Sequence, residues 1–252
     1  MTVAWLKTGE ASKEMAKKDE AMAEKRKQET GKMFRFFLKK DEPNVKITFV
    51  DGDLSPEGLL LPPRYYEHHL SVNGKWGNYY VCPKETNPDS QDPCPICGGG
   101  DRPSLVGLFT VIDHRVTQGG NGKVYRDQPK LLVAKTQSLE LLSKMAVKRG
   151  GLAGAKFDVY RTGDKDAGIG GMFDFIDKRP IEELKELYTI QYADQTGKMV
   201  KKCLFEPADY TQEIVYRSAD ELLKLGFGKP VESSGPYMGS KPTGATDYAG
   251  KL

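Results

Sequence analysis

Histidine and cysteine side chains, which bind soft metal ions, are concentrated in one polar stretch of this chain. Two of the three histidines and three of the four cysteines lie between residues 65 and 100. Within this stretch Cys94 and Cys97 belong to a Cys-Pro-Ile-Cys-Gly sequence that is typical of a zinc knuckle, because a two-residue turn folds both sulfurs towards one metal ion. Cys82 is also followed by proline and offers a third thiolate. A closed structural zinc site needs one more ligand.

The fourth ligand is expected to be one of two neighbouring histidines near the end of a predicted strand. Side chains alternate between the two faces of a strand, so His69 shares a face with Tyr65 and Ser71. His68 instead shares the opposite face with Leu70. We expect a ligand on the more polar face and therefore predict one structural Zn²⁺ ion, bound by His69, Cys82, Cys94 and Cys97.

Catalytic zinc chemistry was the main competing interpretation. Zinc deaminases place a His-x-Glu sequence before Pro-Cys-x-x-Cys, whereas here Glu67 precedes the histidines. Cys82 would also fill the coordination position that a catalytic zinc keeps open for water. The sequence has no phosphate-binding loop of the Walker or Rossmann type. We predict a protein without enzymatic activity. The alternatives are a zinc-dependent nucleic-acid enzyme, either a deaminase or a nuclease, and a zinc-ribbon adaptor that binds proteins.

Aromatic and basic residues alternate densely around the predicted zinc lobe. This mixture is typical of proteins that bind single-stranded nucleic acid, because bases stack on aromatic rings while cations follow the phosphates. In the predicted strand 33–39 one face must be buried, so either Phe34 and Phe36 or Phe37 is expected to be structural. The predicted DNA-binding residues are Phe34, Arg35, Phe36, Lys39, Arg64, Tyr65, Lys75, Trp76, Tyr79 and Tyr80.

Composition narrows the class of protein without identifying a partner. The chain has 252 residues, a net charge of +3 and 38% hydrophobic residues, which suits a globular protein. Its longest apolar run, residues 105–112, is far shorter than the ~20 residues that span a bilayer, so no membrane association is expected. The N-terminal residues contain no secretory hydrophobic region, so we expect a cytoplasmic protein whose clustered cysteines bind metal rather than form disulfides.

The elements that must position these residues are mostly short strands. Alternating apolar and polar residues predict them, and one longer helix is predicted after Ser138, with short helices after Pro180 and Ser218. Ser218 and Glu221 fit a capping box. We predict a mainly β (α+β) fold, an OB-fold-like Greek-key barrel with an inserted zinc-binding lobe and a few short helices. The predicted strands cover 33–39, 44–53, 65–72, 76–82, 105–116, 124–135 and 155–161.

Composition also divides the chain into three parts. Residues 1–31 form a charged arm with helical propensity, and residues 32–228 form the core, with the zinc lobe at about 65–103. Residues 229–252 are rich in Gly, Pro and Ser and are predicted to be a flexible tail.

The spacing of the ligands resembles that of a known family. Twelve residues separate His69 from Cys82, eleven separate Cys82 from Cys94, and two separate Cys94 from Cys97. Within a β-rich, aromatic-lined core of residues 32–206, this pattern is similar to that of the zinc-containing single-stranded-DNA-binding proteins of T-even-like bacteriophages.

The resemblance implies an OB-fold core whose cleft, beside the zinc lobe, binds single-stranded DNA without sequence preference. It further implies that the protein coats and protects exposed strands in phage DNA replication, recombination and repair, in the host bacterial cytoplasm. Self-association along the strand through residues 1–31 and contacts with replication and recombination proteins are also implied. The C-terminal tail departs from the family, whose tails are acidic: here Glu232 and Asp247 stand against Lys241 and Lys251.

Overall fold

A computed structural model describes most of the predicted core. The described residues are 9–10, 13–14, 17, 32–39, 42–72, 75–86, 93–118, 120, 122, 124–163, 168–193 and 197–228. Most of the predicted arm 1–31 and all of the predicted tail 229–252 lie outside the described residues, as do the side chains of residues 71–72, 75–77 and 193. None of the described helices is long and apolar enough to cross a membrane.

The described elements are mainly strands. The strands are β1 (Val45–Phe49), β2 (Arg64–Val72), β3 (Lys75–Val81), β4 (Ser104–Asp113), β5 (Thr117–Gln118), β6 (Val124–Tyr125), β7 (Gln128–Lys135), β8 (Ala155–Tyr160), β9 (Met172–Lys178), β10 (Thr189–Ala193) and β11 (Met199–Cys203). The helices are α1 (Pro83–Thr86), α2 (Pro95–Gly98), α3 (Thr136–Arg149), α4 (Ile181–Leu187), α5 (Tyr210–Glu213) and α6 (Ala219–Lys224).

Seven strands form one antiparallel sheet in which β4 is central. The order is β3-β2-β4-β1-β8-β9, and β7 pairs with β4 along its other edge. The first residues of β4 pair with β2 and its last residues pair with β1, so two strands share one edge of this long strand. Hairpins β5–β6 and β10–β11 form two separate two-stranded sheets. The mainly β class with a few helices is therefore confirmed, while the Greek-key barrel topology stays a prediction.

The main core lies on one face of the sheet, under α3. Apolar residues at alternate positions of β1, β4, β7 and β8 point to this face, as the period of two requires. Helix α3 buries Leu139, Leu142 and Ala146 against them. It ends at Gly150, whose left-handed backbone (φ 64°) lets its N–H close on the carbonyl of Ala146. This helix and the short helices after Pro180 and Ser218 confirm the sequence predictions, including the Ser218–Glu221 capping box.

The predicted strand 33–39 is wrong. This segment forms one isolated parallel bridge, between Arg35 and Leu131, and then leaves β7 to bond with Gly168 through the N–H of Leu38. Phe36 is 2% exposed and belongs to the main core, whereas Phe34 is 76% exposed. Phe34 and Phe36 therefore differ in burial, although they are two residues apart. The reason is that the segment passes from β7 to Gly168 at the edge of the sheet and does not add a strand to it.

Candidate metal centre and the adjoining cleft

Two Cys-Pro dipeptides place cysteine thiols at the start of one-turn helices. Cys82 follows β3, and its carbonyl accepts a hydrogen bond from the N–H of Thr86 in α1. Cys94 precedes α2 in the same way, and its carbonyl accepts from the N–H of Gly98. Proline suits the first position of a helix because its missing N–H has no partner there. The repeated dipeptide thus explains why both thiols emerge from tight, defined turns.

The three thiols meet the imidazole of His68. The four ligand atoms all lie within 4.8 Å of one another. Nε2 of His68 is 3.4 Å from Sγ of Cys94 and 3.6 Å from Sγ of Cys97, and the Sγ atoms of Cys82 and Cys97 are 3.7 Å apart. His68 is 0% exposed. This buried group of one imidazole and three thiols can hold a metal ion.

These separations can be compared with those that a tetrahedral ion requires. With metal–sulfur bonds of about 2.3 Å and metal–nitrogen bonds of about 2.0 Å, two sulfurs lie about 3.8 Å apart and a sulfur and a nitrogen about 3.5 Å apart. Three of the six separations, the ones given above, agree with those values within 0.2 Å, and all six are at most 4.8 Å. The residues present therefore fit a four-coordinate ion.

An outer carboxylate fixes the orientation of the imidazole. Nδ1 of His68 lies 2.6 Å from Oδ2 of Asp101, which follows the glycine-rich end of the knuckle. In metal sites this arrangement holds the proton on Nδ1, so that Nε2 presents its lone pair to the ion. Gly100, with φ of 91°, turns the chain between Cys97 and Asp101. One segment therefore supplies two ligands and orients a third.

The choice of His69 as the metal ligand needs correction. The structure places His68, and not His69, beside the three cysteines. The two side chains do alternate across β2, but the lobe covers the less polar face, where Tyr66 and Leu70 pack against the cysteines. The polarity of a face therefore did not indicate which one the thiols would occupy. His69 points to the opposite face, where its ring stacks on Tyr79.

The metal lobe has a small hydrophobic cluster of its own. Leu222 of α6 is fully buried against Cys82, Cys94 and Ile96, and Phe227 packs edge-on against Tyr80. Burial, together with the adjacent Cys82 and Cys94 thiols, raises the pKa of the Cys97 thiol to about 12. Three thiolates can therefore coexist here only with a cation among them, which a bound metal supplies.

On the other face of β2 and β3, a stack of three side chains forms a pillar. The guanidinium carbon of Arg35 lies 3.5 Å from the centroid of the Tyr79 ring, and the Tyr79 and His69 rings stack with centroids 4.6 Å apart. Glu67 is buried and accepts two hydrogen bonds from Arg35, at 3.0 and 2.5 Å, and one from the Tyr65 hydroxyl. These five side chains are called the Arg35–Tyr79 pillar below.

Charge balance holds the pillar together. Burial opposes the positive charge on Arg35, but its hydrogen bonds and attraction to Glu67 outweigh burial and raise the pKa of the guanidinium. Burial lowers the pKa of His69, and the positive charge of Lys135 acts in the same direction. The pillar therefore presents aromatic and polar surface with little net charge of its own.

Two grooves flank the pillar and share Arg35, Glu67 and Tyr79 in their walls. The first has a volume of about 380 Å³, and its outer wall comes from residues 213–217. The second, of about 260 Å³, runs along β7 towards α3 and is lined by Phe37, Val133 and Lys135. Together the two grooves and the pillar are called the cleft. In the first groove three cations, Lys32, Arg35 and Arg217, face two carboxylates, Glu67 and Glu213.

A C-terminal strap, residues 205–217, forms the outer wall of the first groove. Phe205 is buried against Val50 and Ile112, on the sheet face opposite the main core. The Tyr210 hydroxyl bonds with Asp51 and with Thr110, and the N–H of Met33 donates to Glu213 at 2.7 Å. Burial raises the pKa of Asp51 to about 6, although the hydrogen bonds from the Tyr210 hydroxyl and the Thr110 N–H act to lower it.

The cleft includes only some of the predicted DNA-binding residues. Arg35, Tyr65 and Tyr79 line it, and Tyr80 lines the first groove while packing on the metal lobe. Phe36 touches the second groove but is a core residue, so it is wrong as an exposed stacking residue. Side chains of Lys75 and Trp76 lie outside the described residues.

Three predicted DNA-binding residues lie away from the two grooves. Arg64 lines a separate groove beside α3. Lys39 is exposed beside Glu42, whose carboxylate accepts its backbone N–H. Phe34 is exposed with the Lys130 ammonium 4.9 Å from its ring centroid. The prediction of these three residues rests on the alternation of aromatic and basic residues in the sequence. In the fold, turns of the chain separate them from the pillar.

Sequence reasoning also missed several residues of the cleft and the metal centre. Glu67 could have been found from its position between Tyr65 and His69 on the same strand face. Arg217 and Asp101 carried no comparable signal, because only the tertiary fold brings the strap to the groove and the knuckle to His68.

Comparisons with known proteins identified no relative of this chain. No protein-family model matches the chain, and no match was found among curated proteins or among solved structures.

Proposed function

We propose that this protein binds single-stranded DNA without sequence preference, coats and protects exposed strands, and catalyses no reaction. The DNA strand would lie in the cleft, with bases stacked against the aromatic rings and phosphates facing the cations at its margins. The proposal follows the resemblance to the phage single-stranded-DNA-binding proteins and their roles in replication, recombination and repair, although thirteen residues separate the corrected ligand His68 from Cys82, one more than in the spacing that carried the resemblance.

The observation that carries the proposal is the Arg35–Tyr79 pillar between two grooves. The Arg35 guanidinium and the His69 ring cover the two faces of the Tyr79 ring and hold it rigidly in place, so the face open to a base is that of the exposed His69 ring at the end of the pillar. A preformed aromatic platform loses little entropy when a base stacks on it, and each such stack is worth about 1–3 kcal/mol. Because every base has an aromatic face, a platform of this kind requires no particular sequence.

Electrostatics support a single strand as the ligand. Arg35 is neutralised by Glu67, so the cations available to phosphates are Lys32 and Arg217 in the first groove and Lys135 in the second. Such spaced cations at the margins suit a backbone that passes along the pillar. Arg35, Tyr65 and Glu67 use their polar atoms on one another, which favours binding through stacking and phosphate contacts.

We further propose that the metal is Zn²⁺ and that its role is structural. Thiolate and imidazole ligands in a tetrahedral arrangement favour zinc over harder ions. His68, Cys82, Cys94 and Cys97 supply four donors, so a bound ion has no open position for a reacting water. When bound, zinc supplies the cross-link that a lobe with so small a hydrophobic cluster lacks.

The test is a titration of fluorescently labelled oligo-dT, followed by anisotropy at several salt concentrations and with duplex competitor. We expect tight binding that weakens with salt, because neutralised phosphates release counterions, and little competition from duplex. Tyr79→Ala should weaken binding about tenfold, within the range of one lost stack, because the His69 ring loses the ring that supports it, and Tyr79→Phe should bind as the unmodified protein does.

Tyr160→Ala is the matched control. Tyr160 is a half-exposed tyrosine at the end of β8, where its hydroxyl donates to Asp174, and it lines neither groove. Equal losses in both alanine variants would argue against the cleft. Flat, weak titrations with the unmodified protein would refute the proposal and leave the zinc-ribbon adaptor as the better interpretation. Turnover of the oligonucleotide would instead favour the enzyme.

A further inference from the structure

The hairpin β10–β11 is a feature that neither the metal centre nor the cleft uses. Its two strands pair only with each other among the described strands, in a register that runs from Thr189↔Cys203 to Ala193↔Met199. At its base, the Thr189 hydroxyl and the Cys203 thiol both donate to the carbonyl of Lys185 in α4. The hairpin is thus attached at its base and extends away from the sheet.

One face of the hairpin combines exposed apolar and basic side chains. Ile190 lies directly opposite Lys202, and Tyr192 lies directly opposite Val200, so these four residues share a face. Ile190 and Tyr192 are each 43% exposed. The other face carries Cys203, which packs towards the cluster around Phe205, and Lys201, which is exposed. The face with Tyr192 therefore points away from the rest of the described structure.

The charge on the two paired strands has one sign, whereas Asp194, between them in the sequence, lies outside the described residues. Lys198, Lys201 and Lys202 are exposed, and no acidic residue occurs in the described positions 189–193 and 197–203. No described residue forms an ion pair with Lys201 or Lys202. An exposed ribbon with this charge complements a polyanion, and an exposed tyrosine beside the lysines offers a surface on which a base can stack.

The hairpin base and the cleft lie on the same face of the main sheet. Leu131, which lines the first groove, pairs with Thr110 of β4. Ile112 lies two residues after Thr110 on the same face of β4. It packs in the cluster with Phe205 at the hairpin base. The strap lies between the two regions, with Tyr210 on Thr110. A strand that leaves the first groove over the strap therefore proceeds towards the hairpin.

We propose that the hairpin β10–β11 is a second contact for single-stranded nucleic acid, which binds the phosphates of the strand as it leaves the cleft. Lys202, on the same face as Tyr192, and the exposed Lys201, on the other face of the ribbon, neutralise phosphates, and Tyr192 stacks on a base. This inference rests on the proposed function, because it requires a strand in the cleft. A protein partner fits the surface less well, since the apolar area is small and interrupted by lysine, a residue depleted from protein interfaces.

The test measures how affinity depends on salt for two lengths of oligo-dT, using the full chain. One oligonucleotide, of about 8 nucleotides, fills the cleft, and one of about 25 reaches beyond it. The double variant Lys201→Gln/Lys202→Gln should reduce the slope of log affinity against log salt by about 1.4 on the longer strand, since each phosphate contact to a single strand contributes about 0.7. Its slope on the shorter strand should not change.

Lys144→Gln/Lys148→Gln, on the exposed side of α3, is the matched control for lost charge. It should retain the unmodified slope on both lengths. An equal slope reduction in this control, or an unmodified slope for the hairpin variant on the longer strand, would overturn the inference while the proposed function stands. If the unmodified protein binds neither oligonucleotide, the proposed function fails first and the second contact fails with it.

Discussion

Two consecutive histidines on β2 show how a single residue step separates two chemical environments. His68 is fully buried, with Nδ1 bonded to Asp101 and Nε2 facing the cysteine thiols. His69 lies on the other face of the strand, stacked on Tyr79 beside the cleft. The strand therefore gives neighbouring identical side chains one position at the candidate metal centre and one beside the cleft.

This difference predicts opposite results for two alanine variants. His68→Ala should lower zinc affinity by more than about 100-fold, because losing a ligand exceeds the 10–100-fold effect of losing an outer partner. His69→Ala should retain stoichiometric zinc but weaken oligo-dT binding, since the exposed ring on which a base stacks is lost. Zinc content after dialysis against a competing chelator measures the first effect, and anisotropy measures the second.

The two variants control for each other, because each removes the same side chain from the same strand. Zinc loss from His69→Ala with retention in His68→Ala would contradict the assignment of His68. Zinc loss from both variants would show that the mutations disturb β2 as a whole, and the assignment would then need the conservative variant His69→Gln to retain the metal.

At the scale of elements, α6 depends on the metal lobe for its stability. It has only six residues, too few to be stable as an isolated helix. Its capping box satisfies the first turn, and Leu222 is fully buried in the cluster that contains Cys82 and Cys94. The packing surface for this helix is thus partly made of metal ligands.

We therefore expect zinc removal to expose α6 to solvent exchange. In zinc-bound protein the amides of Leu222 and Leu225, which donate to Ser218 and Glu221, should be protected from hydrogen exchange. In chelator-treated protein this protection should fall to that of an unfolded segment, while α3 amides in the main core keep theirs. Hydrogen exchange with mass spectrometry measures both, and full protection of α6 without zinc would contradict the dependence.

Elements with a clear local signal could be predicted from the sequence. The capping box predicted where α6 begins, Gly150 predicted where α3 ends, and the Cys-Pro dipeptides predicted the knuckle. Each of these signals depends on residues close together in the chain. The prediction of a strand over 33–39 was wrong because the alternation of its side chains suits a strand, whereas pairing depends on which other strand the fold brings near. Hairpin β10–β11 was not predicted, since its strands mix polar and apolar residues on both faces.

At the scale of the whole molecule, β2 and β3 form a wall between the metal centre and the cleft. His68 and Tyr80 point into the lobe, while Glu67, His69 and Tyr79 point into the cleft. Which face the lobe would cover could not be predicted from the sequence, because both faces of β2 contain aromatic and polar residues. Only the fold of residues 82–101 decides it.

This shared wall predicts that metal and DNA affinity are lost together. Cys94→Ser should lose zinc, loosen β2 and β3, and weaken oligo-dT binding about tenfold, comparable with losing the Tyr79 stack. Cys203→Ser is the matched control, since this thiol lies outside the ligand group and donates to the carbonyl of Lys185. It should retain both zinc and affinity. Zinc content, anisotropy and the thermal melting of both variants would be measured together. Full affinity in a folded, zinc-free Cys94→Ser protein would show that the wall is rigid without the metal, and the structural role of zinc would then be confined to the lobe.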